Sequence, residues 1–398
     1  MPHPEIAVLV SSFERPAHIR RVLASIAAQR GVIGAFEVIV TDDGSRDETP
    51  RLVRHFASSA NFPVRFITHP HDGFHIARCR NEGVQASAAP YLLFLDGDCM
   101  IPPDHLRAHL DCRREGYALA GYPIYLNQSI SDLITPQQAK SGDYLRHVST
   151  LDKLEMRWRH LRAQLYTLAN SPTRPKLLGG NLGIARADYQ RINGYDENFR
   201  GWGCEDDDLR MRLVASGIRV ASIAWWTHTY HLWHPKTPSA PQTWRDGANV
   251  EYLHRPLRLA RCLAGLTKRR LQDLRIHLAG RSPKPEFLNH TLPLWCRVAL
   301  ASRRHNNEAP DLELAFADHA DSFSGRCDCR LLIVPRGTNP TRQLLRSASL
   351  VFSDHTLPAA PSNRTYNLNS LDSTLQSHLG FPSQSSRHAT TSLSLRAA

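Results

Sequence analysis

The sequence contains no apolar run that approaches the roughly 20 residues needed for a membrane-spanning helix, and it therefore predicts no such span. Its first residues lack a basic stretch followed by a long apolar core, so we expect no signal peptide and a cytoplasmic protein. The eight cysteines are scattered, and only Cys327 and Cys329 lie close together. Because this pattern gives neither a zinc-ligand spacing nor a secreted disulfide framework, we interpret the cysteines as reduced thiols.

Acidic residues are outnumbered, since Asp and Glu total 37 against 49 Lys and Arg, for a net charge of +12. Such an excess favours an anionic partner, which could be nucleic acid, an acidic membrane surface or a charged glycan. A hydrophobic fraction of 41% with 22% charged residues is ordinary for a globular protein. At 398 residues the chain can form two domains, or one large domain with appendages.

Strand and helix patterns alternate in the first quarter of the chain. Residues 6–10 are a continuous apolar run of strand length, Pro16 begins a helical pattern, and residues 36–40 form a second apolar run. Further strands are predicted at residues 64–67 and 91–95. Strand, helix and strand with short connections predict βαβ units, and hence an α/β fold with a mainly parallel sheet.

Polar side chains directly follow three of these predicted strands. Ser11 follows the first strand and Asp43 the second, while Asp96 and Asp98 follow the fourth. The carboxyl ends of parallel strands meet at one edge of a sheet, where open α/β folds bind their ligands. Two carboxylates separated by one glycine suit a hard divalent cation. The plainer alternative is that these acids only form turns.

An acidic segment at residues 193–209 reads NGYDENFRGWGCEDDDL and includes four consecutive carboxylates, Glu205 to Asp208. A helix N-terminus favours negative charge, so a solvated acidic helix start is one interpretation. Four acids exceed what capping requires, because neighbouring like charges repel. Trp202 lies between two glycines, and a flat ring beside carboxylates is typical of a sugar-binding subsite. Cys204 would be strained if the turn into this helix needs a positive φ.

Four segments, taken in their order and spacing, resemble the motifs of family 2 glycosyltransferases with the A-type fold, over roughly residues 4 to 235. These segments are VLVSSFERP at 8–16, VTDDGS at 40–45, ARCRNEG at 77–83 and FLDGD at 94–98. The resemblance implies a Rossmann-like catalytic domain that binds a nucleotide sugar. It implies that Asp43 recognises the base, usually uracil, and that Ser11 and Arg80 lie near the donor crevice. It also implies that Asp96 and Asp98 hold the ribose and a Mn²⁺ or Mg²⁺ ion on the pyrophosphate.

The acidic segment, with its lead-in GGNLGI at residues 179–184, resembles the acceptor-site segment of β-1,4-galactosyltransferases and polypeptide N-acetylgalactosaminyltransferases. The resemblance implies that Asp206 takes the proton from the acceptor hydroxyl. Glu205 or Asp207 would then orient the acceptor, and Trp202 would stack on its ring.

Three histidines follow within residues 228–234. A lone histidine is more often a core or surface residue than a ligand, but the related families supply a metal-ligating histidine at this point, and neutral imidazole completes an oxygen-rich shell well. We predict that His231 binds the metal with Asp98. His234 is the second candidate, and His228 is interpreted as structural.

We place the catalytic domain at residues 1–245, with a donor half of about 1–121 and an acceptor half of about 122–245. Within the acceptor half, apolar residues recur at helical spacing and predict an amphipathic helix whose tryptophan belongs to the core; they are Leu154, Trp158, Leu161 and Leu165.

The remainder of the chain is predicted to be helical and partly disordered. Residues 246–280 are interpreted as a basic amphipathic helix, which either lies on an anionic membrane or packs on the catalytic domain. Residues 281–398 remain unassigned. The tail from residue 354 is rich in Ser, Thr, Asn and Pro, which predicts disorder.

The sequence thus predicts an inverting, metal-dependent glycosyltransferase that uses a nucleotide sugar, with UDP-sugars favoured, and a glycan or lipid-linked glycan acceptor. The expected role is polysaccharide or lipopolysaccharide synthesis at the cell envelope, in the cytoplasm or on the inner face of the plasma membrane. A nucleic-acid-binding protein and a catalytically inactive glycan-binding protein are the alternatives. Basic residues do not interleave with aromatic ones along a recognisable module, so no nucleic acid is expected.

Overall fold

The computed structural model describes residues 3–32, 34–171, 173–236, 240–301, 309–325 and 327–379. Contacts divide the chain into an N-terminal unit, Met1–Leu253, and a C-terminal unit, His254–Ala398. Among the described residues, no helix is both long enough and apolar enough to cross a bilayer.

The described strands of the N-terminal unit are β1 (Ile6–Ser12), β2 (Phe36–Asp42), β3 (Val64–Thr68), β4 (Tyr91–Asp96), β5 (Cys99–Met100), β6 (Tyr117–Ala120), β7 (Pro123–Tyr125), β8 (Asn181–Ala185), β9 (Arg219–Ser222) and β10 (Thr229–His231). Its α-helices are α1 (Pro16–Ile26), α2 (Thr49–Ser59), α3 (Ile76–Gln85), α4 (His105–Cys112), α5 (Gln128–Leu133), α6 (Pro136–Ser141), α7 (Thr150–Leu168), α8 (Arg186–Arg191), α9 (Glu205–Ala215) and α10 (Val250–Leu253).

A seven-stranded sheet in the order β3-β2-β1-β4-β8-β6-β9 forms the centre of this unit. The pairs from β3 to β4 are parallel, β8 is antiparallel to both of its neighbours, and β6 pairs with β9 in parallel. The predicted α/β fold with a mainly parallel sheet is therefore confirmed. Every residue of β1 is buried, as expected for a continuous apolar strand covered on both faces.

The strand register decides which polar side chains meet. Ser11 on β1 aligns with Asp96 at the end of β4, and Ser12 aligns with Asp42 at the end of β2. A small second sheet, in the order β5-β10-β7, follows directly after the fourth strand. In this sheet His231 pairs with Cys99, which places the histidine beside the residue that follows Asp98.

The helix predicted around Trp158 forms as α7, but the predicted orientation is wrong. Its buried side chains are Met156, His160 and Ala163, and the Thr167 hydroxyl donates to the backbone of β9 at 2.8 Å. Trp158, interpreted as core, is 62% exposed. A helical period identifies two faces, but it does not decide which face packs inward.

The basic amphipathic helix predicted for residues 246–280 does not form. In this range, which is fully described, only α10 is α-helical, and irregular chain, a 3₁₀ turn and a strand follow it. Leu257, Leu263 and Leu274 are instead buried in the core of the C-terminal unit. Their basic neighbours are engaged as well, since Arg269 and Arg275 both donate to Asp311. The leucines therefore serve a folded domain, and the membrane contact predicted for residues 251–280 loses its basis.

The C-terminal unit contains a five-stranded parallel sheet whose strands lie in chain order. Its strands are β11 (Ile276–Ala279), β12 (Leu312–Phe316), β13 (Arg330–Val334), β14 (Leu350–Ser353) and β15 (Thr365–Asn367), and its described α-helices are α11 (Pro285–Thr291), α12 (Leu294–Ala301), α13 (Arg342–Ser347) and α14 (Leu371–His378). The disorder predicted from residue 354 is wrong for β15 and α14. Residues 380–398 lie outside the described residues.

Candidate active site

A cleft with a volume of about 490 Å³ opens at the carboxyl ends of β1, β2 and β4. Every residue that the sequence analysis proposed for the site lines this cleft: Ser11, Asp43, Arg80, Asp96, Asp98, Trp202, Glu205, Asp206, Asp207 and His231. They come from six separate segments of the chain. The sheet register and the start of α9 bring them together.

Asp43 lies at one end of the cleft, buried and held in a fixed orientation. One carboxylate oxygen lies 2.9 Å from His69 Nε2, and the other accepts from the backbone N–H of His75 at 3.1 Å. The other ring nitrogen of His69 lies 2.8 Å from Glu82. Gly44 is required beside it, because its φ is +80° and a Cβ would lie 2.4 Å from the backbone nitrogen of His71. His69 was not predicted as a site residue from the sequence, although its place after β3 was a usable signal.

A candidate metal site surrounds Asp98. His231 Nε2 and His234 Nε2 lie 3.5 Å and 3.2 Å from its carboxylate oxygens, and Arg15 donates to it at 2.8 Å. One carboxylate oxygen and two imidazole nitrogens lie within 4.8 Å of one another. This donor set fits Mn²⁺ or Mg²⁺, with Mn²⁺ the better match to imidazole. Both histidines meet the geometric requirement, so the choice between them stays open.

The charges around Asp98 set its proton affinity. Burial by itself would raise the pKa of Asp98, but the hydrogen bond from His234 and the nearby His231 and Arg15 outweigh burial and lower the pKa below its ordinary value. The same hydrogen bond raises the pKa of His234. Asp98 is therefore held as a carboxylate, the form that binds a cation.

Arg80 connects the donor and acceptor sides of the cleft. Its buried guanidinium donates to Asp96 at 3.2 Å, to Asp206 at 3.0 Å and to Glu205 at 3.4 Å. It also lies 4.8 Å from the centre of the Tyr195 ring. Burial raises the pKa of Asp96, although Arg80 opposes this shift. One guanidinium thus fixes three carboxylates, which would otherwise repel one another.

The residues around Arg80 leave no free space for an added side chain at Gly179. A Cβ there would lie 2.1 Å from Arg80 Nη2, and the backbone N–H of Gly179 donates to Asp206 at 2.8 Å. The glycine pair at residues 179–180 was seen in the sequence only as a lead-in to the acidic segment. Its physical role is to let the backbone approach Arg80 and the carboxylates.

The four consecutive acids at the start of α9 have different environments. Asp208 forms a fully buried ion pair with Arg212 at 2.6 Å, so this acid is structural. Asp206 accepts hydrogen bonds from Arg80, from the Gly179 N–H and from the Tyr195 hydroxyl at 2.8 Å. Asp207 lies nearer the surface, 3.9 Å from Lys176.

Glu205 has a proton affinity unlike that of an ordinary glutamate. Burial raises its pKa to about 7, and the charge of Asp206 adds to the increase while Arg80 opposes it. A carboxyl group that titrates near neutral pH can both donate and accept hydrogen bonds under working conditions.

The turn before α9 adopts backbone conformations that favour glycine. Gly201 and Gly203 have φ values of +78° and +90°, and Cys204 has a φ of +75°. The strain foreseen for a cysteine at this position is therefore present. Trp202 is partly exposed between the two glycines and lines the cleft.

Comparisons with known families and proteins agree with this geometry. Residues 7–177 match the family model described as glycosyl transferase family 2, and residues 159–235 match the model described as the N-terminal domain of galactosyltransferase. The chain is 28% identical over 255 residues to the validoxylamine A glucosyltransferase of Streptomyces hygroscopicus subsp. jinggangensis, an alignment that covers 57% of this chain and 56% of that enzyme. It is 25% identical over 244 residues to the chondroitin synthase of Escherichia coli, which covers 55% of this chain and 33% of the synthase.

Among solved structures, the mannosyltransferase PcManGT of Pyrobaculum calidifontis, in complex with GDP-Man and Mn²⁺, has a TM-score of 0.42 at 16% identity and covers 59% of each chain. TarS residues 1–349 of S. aureus, in complex with UDP-GlcNAc, have a TM-score of 0.43 at 18% identity, covering 63% of this chain and 65% of the other.

The chain spans about half of the length of the validoxylamine enzyme and one third of the chondroitin synthase. The two family models together run from residue 7 to residue 235, and this range contains every proposed site residue. Residues 7–177 of the chain are therefore similar to glycosyltransferase family 2.

Proposed function

We propose that the N-terminal unit transfers a sugar from a nucleotide sugar, with a UDP-sugar favoured, to a hydroxyl group of a glycan or glycolipid acceptor, and that the reaction inverts the anomeric carbon. One observation carries the proposal. A single cleft of about 490 Å³ contains a carboxylate in a fixed orientation that suits a nucleotide base, a candidate cation site and the neighbouring acids Glu205 and Asp206, both bonded to Arg80. These are the parts that sugar transfer from a nucleoside diphosphate requires.

The donor would occupy the edge formed by β1, β2 and β4. Both carboxylate oxygens of Asp43 are oriented by His69 and His75. Asp43 can therefore accept hydrogen bonds from the nucleotide base of the donor without first reorganising. Ser11 and Asp96, which are aligned in register, line the same cleft as Asp43 and the cation site and suit the ribose and phosphates. All of these groups lie at strand ends, which supports a donor position along this edge of the sheet.

The cofactor in this proposal is Mn²⁺ or Mg²⁺, held by Asp98 together with His231, His234 or both. When bound, such an ion offsets the negative charge that grows on the departing diphosphate. Arg15, which already donates to Asp98, orients this carboxylate from the donor side. The two histidines add neutral ligand atoms, which suits an ion that also binds phosphate oxygens.

Asp206 is the proposed base. It takes the proton of the acceptor hydroxyl as that oxygen forms a bond to the anomeric carbon, and the bond from that carbon to the diphosphate oxygen breaks on the opposite face. The hydrogen bonds from Arg80, Tyr195 and Gly179 hold Asp206 in position. Glu205, whose raised pKa permits it to donate as well as accept, orients the acceptor, and Trp202 stacks on the sugar ring.

The proposed acceptor belongs to cell-envelope polysaccharide or lipopolysaccharide synthesis, and the proposed location is the cytoplasm. Relatives named chondroitin synthase and hyaluronan synthase support this class of acceptor. Another relative is named validoxylamine A glucosyltransferase, so the class of acceptor needs a direct test.

The test is a panel of nucleotides and nucleotide sugars assayed with the full-length protein in Mn²⁺, first by thermal stabilisation and then by release of nucleoside diphosphate. We expect UDP and at least one UDP-sugar to raise the melting temperature, and the cognate sugar to give slow diphosphate release. Asp43→Asn should selectively weaken the binding of the uridine compounds. A protein that is stabilised by none of the nucleotides would rule out the donor assignment.

A further inference from the structure

A second cavity, with a volume of about 290 Å³, lies beside the cleft on the acceptor half, and Lys176 and Leu178 line both cavities. We call it the basic pocket. Four cationic side chains line it: Arg159 and Arg162 from α7, and Arg174 and Lys176 from the segment that precedes β8. None of these four cations was predicted from the sequence to have a role.

The positive charge in the basic pocket is only partly balanced. Arg159 pairs with Glu155 at 2.7 Å, and the acid nearest to Lys176 is Asp207, at 3.9 Å. Within the described part of the chain, neither Arg162 nor Arg174 has an acidic side chain within 4.0 Å. Like charges gathered without counter-ions repel, so such a cluster is retained most readily where an anion occupies it.

The pocket is built on a fixed backbone. The buried Arg210 donates to the carbonyl oxygens of Ser171, Arg174 and Pro175 at 2.9, 2.6 and 2.7 Å. These three bonds immobilise the segment that carries two of the four cations. Tyr122 is buried at the pocket, and its hydroxyl donates to the Lys176 carbonyl at 3.4 Å. The arginines therefore extend from a rigid support.

We infer that the basic pocket binds an anionic group of the acceptor, either a phosphate ester or the carboxylate of an acidic sugar. This inference rests on the proposed function. The pocket lies on the acceptor side, because Gly179, whose N–H bonds the proposed base, is three residues after Lys176, a span of at most ~11 Å. A sugar held at Trp202 and Asp207 can therefore reach the pocket with the next group of the same molecule.

The experiment compares inorganic pyrophosphate and glucuronate as probes by titration calorimetry, using full-length, metal-free protein. The pocket variant is Arg162→Ser with Arg174→Ser. Its matched control is Arg107→Ser with Arg146→Ser, which removes the same charge from exposed arginines that pair with their own helix neighbours outside the pocket. We expect affinity for one probe to fall about tenfold or more for each pocket arginine. The control should bind as the wild type does.

The stronger probe identifies the anionic group as a phosphate or a carboxylate. If neither probe binds the wild type, or if the pocket variant binds both probes as tightly as the wild type, the inference is wrong. UDP binding in Mn²⁺ is measured separately on the same proteins. A failure there would refute the proposed function, while the probe titrations would still report on the pocket.

An independent observation concerns the outer face of α7. Opposite its buried residues, six apolar side chains form a stripe along the helix with exposures from 46% to 77%: Leu151, Leu154, Trp158, Leu161, Leu165 and Leu168. Trp225 and Trp226 contact His160 on the same helix and are also about half exposed. So large an apolar surface is unusual on a soluble monomer and marks an interaction site.

The charged side chains on either side of the stripe indicate which kind of partner it binds. At 100° per residue, the exposed Lys153 and Arg157 lie along one side of the stripe, and the exposed Arg162 and Glu155 lie along the other. Glu155 is neutralised by its ion pair with Arg159, so the net charge beside the stripe is positive. Basic residues flanking an apolar face with tryptophans match an anionic lipid surface, into which such a helix lies in plane. The geometry points to an anionic bilayer as the occupant of this face.

The test is co-sedimentation of the full-length protein with vesicles of phosphatidylglycerol and phosphatidylcholine. Leu154→Ser with Trp158→Ser should lower the bound fraction at least tenfold, while Leu133→Ser, an exposed leucine on α5, should leave it unchanged. Lys153→Glu should weaken binding to the anionic vesicles. If the wild type does not bind the vesicles, the proposal fails. It also fails if the wild type forms a dimer that the stripe variant disrupts and that excludes vesicles, because the partner is then a second copy of the chain.

Discussion

Arg80 Nη1 donates to Asp206 at 3.0 Å across 126 positions of the chain. Arg80 belongs to α3 on the donor side, and Asp206 belongs to the first turn of α9 on the acceptor side. The same guanidinium also bonds Asp96 and Glu205. One buried cation therefore couples the position of the donor-side carboxylate to the position of the proposed base.

This coupling predicts that Gly179→Ala impairs transfer. The added Cβ would lie 2.1 Å from Arg80 Nη2, so the guanidinium must move and Asp206 moves with it. A displacement of about 1 Å can cost on the order of 10²-fold in rate, and we expect a loss of that size in turnover. Gly83→Ala is the control, because its Cβ would meet Thr41 at an ordinary 3.4 Å. Equal turnover of both variants would show that Arg80 does not position the base.

The metal site predicts that Asp98→Ala abolishes Mn²⁺-dependent binding of UDP while the fold survives, because Asp98 lies at a strand end and not in the core. His231→Ala and His234→Ala should differ in effect. Replacing a histidine that only supports a ligand lowers the metal affinity of the protein about 10–100-fold. Replacing a direct ligand lowers it more. Mn²⁺ titration followed by paramagnetic resonance measures the metal affinity of both variants, and substitution of the exposed His55 by Ala is the control. UDP affinity that is unchanged in Asp98→Ala would contradict the assignment.

The base assignment predicts that Asp206→Asn lowers turnover by ~10²–10⁴-fold and leaves UDP affinity near that of the wild type. Glu205→Gln should reduce turnover less and should raise the KM for the acceptor, because an amide can still orient a hydroxyl group. Initial rates at varied acceptor concentration separate the two effects. If Glu205→Gln is the crippled variant and Asp206→Asn is mild, the two neighbours exchange roles.

The raised pKa of Glu205 predicts a pH-dependent stability. The folded protein releases this proton at a pKa of about 7, whereas the unfolded chain releases it near the ordinary value of 4.5. Between these values the folded state binds more protons, so its stability falls as pH rises. The loss approaches roughly 3 kcal/mol above pH 7, and Glu205→Gln should remove it. Urea unfolding of the wild type and of Glu205→Gln, near pH 4.5 and near pH 8, measures this difference. An equal change in the free energy of unfolding of the two proteins between these pH values would contradict the prediction.

The end of the N-terminal unit predicts where the chain can be cut. Tyr252 donates to Asp196 at 2.9 Å and packs on Phe199, and Leu253 is buried. A fragment of residues 1–250 lacks Tyr252 and Leu253 and therefore loses these contacts, two of which are made to the acidic segment. A fragment of residues 1–253 keeps them. We expect 1–253 to bind UDP and to melt several degrees above 1–250, as measured by calorimetry in Mn²⁺. Equal melting temperatures would show that α10 contributes nothing to the catalytic unit.

The sequence by itself determined the order of elements around the sheet and the chemistry of the strand ends. The apolar runs of β1, β2 and β4 predicted a parallel sheet, because a strand buried on both faces must be apolar throughout. Parallel strands end at one edge, so Ser11, Asp43 and Asp98 could be placed in one crevice from local pattern alone. The acidic segment was likewise visible, since four adjacent carboxylates are costly without a reason.

Tertiary structure decided what depends on contacts between distant segments. Only packing separates the structural Asp208 from Asp206, because Arg212 and Arg80 reach them from different directions. Helical spacing revealed the apolar stripe of α7 but not that it faces outward, since period carries no information about which face is covered. The leucines of residues 251–280 were visible too, yet their role depended on a second parallel sheet whose core they complete. Local sequence limits the possible elements, and the long-range contacts select among the faces and partners of each one.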